Sequence, residues 1–410
     1  MTQLASCGER QFWFAEQIAP GALAHLANQT IRLDGPVDVT ALTEAFRAVV
    51  HRHEALGTGF LFHDGQLYRR PPRGIPPAVP MLLADHLTPE SVTRKLLTPG
   101  LDLDTGDLIR MGVVPDASGA LLHVVVHHVA FDGLSQEIFT RDLAAAYGAR
   151  LRGEAIDLPV RPRMPAHVVD PARLGEQLAY WRGEVEGVPD LPGGEPAPLQ
   201  WDLADARIVE TEAWCDKATV HQLRAVARGQ DVTLFTLLLT AYAQALGDIG
   251  GGDDFCVGVA VALRGGDRLD EVGCEINVLP MRMRRPRAPG AIGRVWASQV
   301  GTLSSPDLPF AELVASIQTM RGDRLPLMQT SLISQGWDRV VHRVGPVRMQ
   351  NMVTHPLGSQ FEVQALMCHT EAGDLKVVVQ APECSGWAVR LAGLATAVTV
   401  RLGRLATGKE

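Results

Sequence analysis

The chain has 410 residues, 46% hydrophobic and 20% charged, with a formal net charge of −8. That is too long for one ordinary core and suits two domains of about 150–200 residues each, with a globular composition free of disorder-like bias. The acidic balance argues against nucleic acid as a partner, and no apolar stretch reaches the roughly 18 residues of a membrane span.

The opening MTQLASCGERQFWF lacks a basic segment followed by an apolar run and a small-residue cleavage site. Cys7, Cys215, Cys256, Cys274, Cys368 and Cys384 fall without CxxC or CxxH spacing. Both features fit a cytoplasmic protein with reduced, mostly buried thiols.

Apolar periodicity switches repeatedly between 2 and 3.6, the mark of an α/β protein. Residues 38–56 open with a capping Asp38 and place Leu42, Phe46, Val49 and His53 on one helical face. Strands follow near 58–62 and 66–70, joined by Asp64-Gly65. Thr88-Pro89-Glu90 starts a helix with proline at its tolerated first position. Strands near 109–114 and 121–128 lead through Asp132-Gly133 into an amphipathic helix with Ser135 as its expected N-cap. Eight prolines between about Gly153 and Gln200 surround one short helix ending in LAYWRGEVEG, a structured connector without Gly/Ser runs. The second half repeats the style of the first: strands near 208–215, 255–262, 278–283, 330–334, 361–369 and 375–379. Helices are expected near 219–228, 233–246, 292–303 and 309–320, with a closing one from Trp387. The implied domains are an N-terminal lobe 1–165, a connector 166–200 and a C-terminal lobe 201–410.

HVVVHHVAFDGLS, residues 123–135, carries the chemistry. Neighbours in an extended strand point to opposite faces, so His127 and His128 cannot converge on one metal as a helical HxxxH does, and no metal site is expected. One imidazole holds structure while the other faces a cavity. Asp132 either orients an imidazole or fixes the loop by a salt bridge, and the residues alone leave both open. A histidine near its ordinary pKa of about 6.5 suits proton transfer, though a structural role competes equally.

HHVAFDG (His127–Gly133) matches HHxxxDG and resembles the condensation-domain superfamily of nonribosomal peptide synthesis and its acyltransferase relatives. Ordered blocks extend the resemblance over about residues 6–400: SCGERQFWFAEQIAPG, RLDGPVDVTALTEAFRAVVHRHEALGTGF, YWRGEVEGVP, VTLFTLLLTAYAQALGDIGGGDDFCVGVAVALR, EVGCEINVLPMRMR and RGDRLPLMQTSLISQGW. It implies two chloramphenicol-acetyltransferase-like lobes in a V-shaped pseudodimer with a central tunnel, in a monomer. It further implies that His128 faces the tunnel as base or electrostatic group, that His127 is structural with Gly133 lining the turn, and that Asp132 makes a salt bridge across the lobes with Arg264. The implied partner is an acyl or peptidyl carrier protein. Its phosphopantetheine arm presents an acyl or aminoacyl thioester to an amine, forming an amide, and the chain itself binds no cofactor. An alcohol acceptor, giving an ester, and an inactive recruitment module remain as alternatives. The chain reads as a free-standing enzyme or an excised domain.

Some positions depart from the family pattern. Gly57 stands in RHEALGT where a second arginine is usual, and Cys274, Glu275 and Val278 are unusual around Asn277. Asn277, Glu275, Ser334 and Gln335 are the candidate tunnel-lining residues. The basic run MRMRRPR (Met281–Arg287) faces an acidic carrier protein, the phosphate of its cofactor arm or, as a solvated strand end, plain solvent.

Overall fold

The computed structural model describes residues 3–72, 81–82, 87, 89–161, 163, 165–166, 170–192, 206–250, 252–265, 268–317, 324–335, 340–352, 356–370 and 372–409. The strands are β1 (Gln3–Leu4), β2 (Leu26–Asp34), β3 (Gly59–His63), β4 (Gln66–Arg70), β5 (Met81–Leu82), β6 (Ile109–Asp116), β7 (Gly119–His127), β8 (Ile208–Cys215), β9 (Asp254–Ala262), β10 (Ile276–Arg284), β11 (Thr330–Gln335), β12 (Val341–Val344), β13 (Val347–Asn351), β14 (Val363–His369) and β15 (Leu375–Pro382). The helices are α1 (Cys7–Ile18), α2 (Val39–Arg52), α3 (Pro89–Leu96), α4 (Gly133–Leu151), α5 (Pro171–Val185), α6 (Lys217–Gly229), α7 (Leu234–Gly250), α8 (Ala291–Ser304), α9 (Phe310–Ile317) and α10 (Leu391–Ala406). No single helix among the described residues is long and apolar enough to cross a membrane.

The chain forms two compact units. Unit 1 comprises residues 1–168, 264–276 and 339–357, and unit 2 comprises 169–263, 277–338 and 358–410. Two stretches that the sequence reading assigns to the C-terminal lobe therefore pack with the N-terminal one. The reason is local: β13 pairs with β2, and Val272 and Cys274 join the apolar core of unit 1.

Unit 1 holds a six-stranded sheet in the order β12-β13-β2-β7-β6-β5 and a small sheet β1-β4-β3. In β7, Val124 and Val126 enter one core with Leu42, Phe46 and Val49 of α2 and Phe139 and Leu143 of α4. Val125 points the other way, into a cluster with Val92 and Leu96 of α3, as strand alternation requires. The β3–β4 hairpin turns on Asp64 and Gly65, both at positive φ, the turn that Asp-Gly favours. Unit 2 holds the sheet β10-β9-β11-β14-β15-β8. There α7 is buried nearly all round, and its Tyr242 hydroxyl lies 2.7 Å from that of Thr330 on β11.

Candidate active site

β7 ends at His127, and His128 opens a single 3₁₀ turn, His128–Ala130, so strand alternation stops between the two histidines. His127 is buried. Its Nδ1 accepts the Val129 N–H at 3.1 Å, which assigns the ring proton to Nε2, 3.4 Å from Glu16 Oε2. The same carboxylate oxygen receives His25 Nδ1 at 2.6 Å, and Glu16 Oε1 accepts the Gly21 N–H at 2.7 Å. Burial opposes ionisation of Glu16, but the two imidazoles and the amide hold it at about 2.

Glu16, His25 and His127 present potential ligand atoms within 4.8 Å of one another. The His127 tautomer turns its near atom into a donor toward Glu16, so the arrangement is that of a hydrogen-bonded carboxylate.

The His128 ring lies against Phe12 of α1, with centroids 4.4 Å apart and planes 3° from parallel. Its Nδ1 is buried and finds no partner of hydrogen-bond geometry among the described residues. Burial lowers the ring to about 4, against the pull of Asp132 and with His127 adding to the shift. At neutral pH His128 is an uncharged imidazole.

Asp132 does not touch either imidazole through a hydrogen bond. It is the N-cap of α4, accepting Ser135 N–H at 3.1 Å, and its other oxygen accepts Glu275 N–H at 3.1 Å and the Arg264 guanidinium. Arg264 also donates to the Glu271 and Gly273 carbonyls. The expected Asp132–Arg264 pair is thus present, but both residues lie in unit 1, so it is an intra-unit bond. The cap is Asp132 rather than Ser135. Ser135 serves at the third helical position and accepts the Gly273 N–H at 3.1 Å. Gly133 is exposed and opens α4 as its first helical residue, so it makes no separate tight turn.

Glu275 departs from both sequence readings, an exposed carboxylate or a tunnel group for a cationic acceptor. It is buried, 3.2 Å from Arg69 and 2.9 Å from Arg268, in a network that also joins Glu9 to Arg69 at 2.8 Å and to Arg163 at 2.6 Å. Asn277 is buried as well, its amide donating to the Pro306 and Leu308 carbonyls at 2.9 and 2.7 Å. Ser334 lines a cavity of about 330 Å³ in unit 2, walled by Phe235, Val259, Val261, Met281, Leu303 and Leu332 among others. Gln335 ends β11, and its side chain lies outside the described residues. Within the basic run, Arg282 pairs with Asp254, Arg284 with Glu184 and Arg287 with Asp253.

Sequence reasoning missed Phe12, Glu16 and His25. The available signal was the i, i+4 spacing of Phe12 and Glu16, which puts them on one face of α1.

A family model described as condensation domain matches residues 2–364. The chain is 30% identical over 390 residues to a probable non-canonical nonribosomal peptide synthetase, CymA of Salinispora arenicola, covering 90% of this chain and 5% of that protein. It is 31% identical over 360 residues to the phosphinothricin tripeptide synthetase PhsC of Streptomyces viridochromogenes, covering 80% of this chain and 32% of that protein. The chain therefore spans a minor part of these relatives' length. Among solved structures, the condensation domain from the Monacolin K polyketide synthase MokA superposes with a TM-score of 0.81 at 18% identity, covering 99% of this chain and 98% of that one. The X-domain from teicoplanin biosynthesis, solved with OxyB, gives 0.78 at 20% identity, covering 99% and 94%. At such identities these likenesses speak to the fold, which is the chloramphenicol-acetyltransferase-like one expected from the blocks. The family model spans most of the chain, and the protein belongs to the condensation-domain family.

Proposed function

We propose that the chain is an acyltransferase that moves an acyl or aminoacyl group from a carrier protein's phosphopantetheine thioester to an amine, forming an amide. The nucleophile attacks the thioester carbonyl, the C–N bond forms, the C–S bond breaks, and the pantetheine sulfur leaves with a proton. Holding the two reactants in line supplies much of the acceleration. His128 accepts a hydrogen bond from the attacking N–H and takes the proton as the tetrahedral adduct develops negative charge. His127, Asp132, Gly133 and Arg264 hold the loop that presents it. No nucleophilic serine or cysteine is needed; burial pushes the Cys7 thiol up to about 12 and Cys274 well above its ordinary range.

The observation that carries this reading is His128 itself: an uncharged ring with its plane fixed, beside an aspartate whose charge is already taken by Arg264. The test is turnover of an acyl-loaded carrier protein with a panel of amine and hydroxyl acceptors, followed by mass spectrometry, beside His128→Ala. Amide formation that falls about 10²-fold or more in the variant supports the proposal. Ester products alone reassign the acceptor. Tight carrier binding without turnover in either protein favours a recruitment module instead.

A further inference from the structure

An imidazole that handles protons usually has its far nitrogen held by a carboxylate or carbonyl, which fixes ring orientation and tautomer. Among the described residues no carboxylate or neighbouring carbonyl holds His128 Nδ1 in hydrogen-bond geometry, and Asp132 is engaged by Arg264, Ser135 and the Glu275 amide. Something else must set the ring plane. The described contact that does so is the parallel stack on Phe12.

One turn further along α1, Glu16 reaches the other histidine. Its carboxylate is fixed from three directions, by His25, His127 and the Gly21 amide. His127 in turn accepts the Val129 N–H across the turn that carries His128. The mount is rigid. The Ser6 side chain caps α1 and donates to the Cys274 carbonyl at 2.9 Å, and a Cβ on Gly8 would lie 2.8 Å from both Cys274 Sγ and Ile276 O.

We propose that Phe12 and Glu16 are positioning residues for His128, Phe12 by stacking on its ring and Glu16 by fixing His127 and, through it, the 128–130 turn. The inference rests on the reading of His128 as the group that meets the nucleophile. A leucine at position 12 fills much of the same volume; only an aromatic ring supplies a parallel face. The charged and titratable groups that act on the ring through their charge are Asp132, then His127 and His25. Glu16 acts one bond further out.

The test uses the whole chain with isotope-labelled histidine. His128 ring resonances are assigned by their loss in His128→Gln, then followed through a pH titration in the wild type, Phe12→Leu, Phe12→Tyr and Glu16→Gln. Single-turnover and steady-state kinetics with an acyl-loaded carrier run in parallel. Phe12→Leu is expected to remove the ring-current shift at His128, move its midpoint up toward the ordinary value, and lower kcat about 10- to 100-fold with little change in KM. Phe12→Tyr, which keeps the ring face, loses less than Phe12→Leu. Glu16→Gln, nearly isosteric, is expected to lower kcat and speed exchange of the His127 Nε2 proton. Unchanged kcat with an unchanged His128 titration in Phe12→Leu overturns the role of Phe12, and the same result in Glu16→Gln overturns that of Glu16. Should the wild type turn over no substrate, the resonances alone decide the positioning. The acyl-transfer reading then fails separately.

Discussion

Breaking the Asp132–Arg264 pair is the sharpest perturbation the structure offers. Both side chains are at most 1% exposed. Arg264→Met leaves the Asp132 carboxylate with two backbone N–H donors, from Ser135 and Glu275, and the Ser135 hydroxyl at 2.9 Å, but without its guanidinium partner. It also strips a donor from the Glu271 and Gly273 carbonyls. Removing one partner of a buried pair costs about 3–5 kcal/mol, because the other charge stays behind without water. Asp132→Asn strands the guanidinium in the same way, yet asparagine remains a competent N-cap for α4. With both changes neither charge is buried alone. The double variant is therefore expected to cost no more than either single one, a coupling of about 3 kcal/mol. Tryptophan fluorescence is a poor reporter: of the seven tryptophans, Trp13 is the one that falls in unit 1. Hydrogen exchange of peptides from β7 and α4 across a denaturant series reads unit 1 directly. Costs that add to within about 0.5 kcal/mol would refute the coupling, and with it the assignment of Asp132 to structure.

Acid should reveal the perturbed groups in two windows. His128, lowered to about 4, favours the folded state fully above its ordinary 6.5, and that contribution is lost as pH falls through about 4; His128→Gln should flatten unit 1 stability there. Glu16, held at about 2 against an ordinary 4.5, contributes stability above pH 4.5 that is lost as pH falls toward 2, so Glu16→Gln flattens that lower window. Exchange of the same peptides against pH checks both. Alkylation with mass spectrometry should find one fast thiol, the exposed Cys384, while Cys256 and Cys274 stay unmodified in the native chain.

Elements whose signals are local were legible in the sequence. Asp38 caps α2 where expected, accepting the Ala41 N–H at 3.0 Å, and β8 spans the residues read for it. β2, β12 and β13 were not read. β2 carries Asn28, Gln29, Thr30 and Arg32 among its apolar residues, so its pattern is weak, and its place is settled by β7 on one side and β13 on the other. The latter partner lies some three hundred residues along the chain. The same distance hid the surroundings of Glu275, whose arginine partner at position 69 follows no local rule. Gly57 sits in a 3₁₀ turn, Glu54–Gly57, closed by the Thr58 hydroxyl on the Glu54 carbonyl at 2.7 Å, so the turn holds without the family's second arginine. At the candidate site, the histidines and Asp132 were visible as a motif, and Arg264 through the family resemblance. Phe12 and Glu16 were not, because α1 meets the His128 turn only after folding.

The way Asp132 is spent bears on what His128 can do. A carboxylate hydrogen-bonded to the imidazole would raise its pKa and favour the charged form. Here that carboxylate neutralises Arg264 and caps α4, so burial governs the ring and the uncharged form persists at neutral pH. An imidazole held at about 4 is a weak base toward a free ammonium group, so on the proposed path the acceptor would have to arrive as the neutral amine. Its basicity rises only when negative charge appears nearby, as it does when the thioester carbonyl becomes tetrahedral. Proton transfer on the proposed path is thereby tied to bond formation, and the orientation that a partner carboxylate usually provides has to come from elsewhere. In this fold the available surface is the face of Phe12, and that is why a leucine there should cost rate before it costs stability.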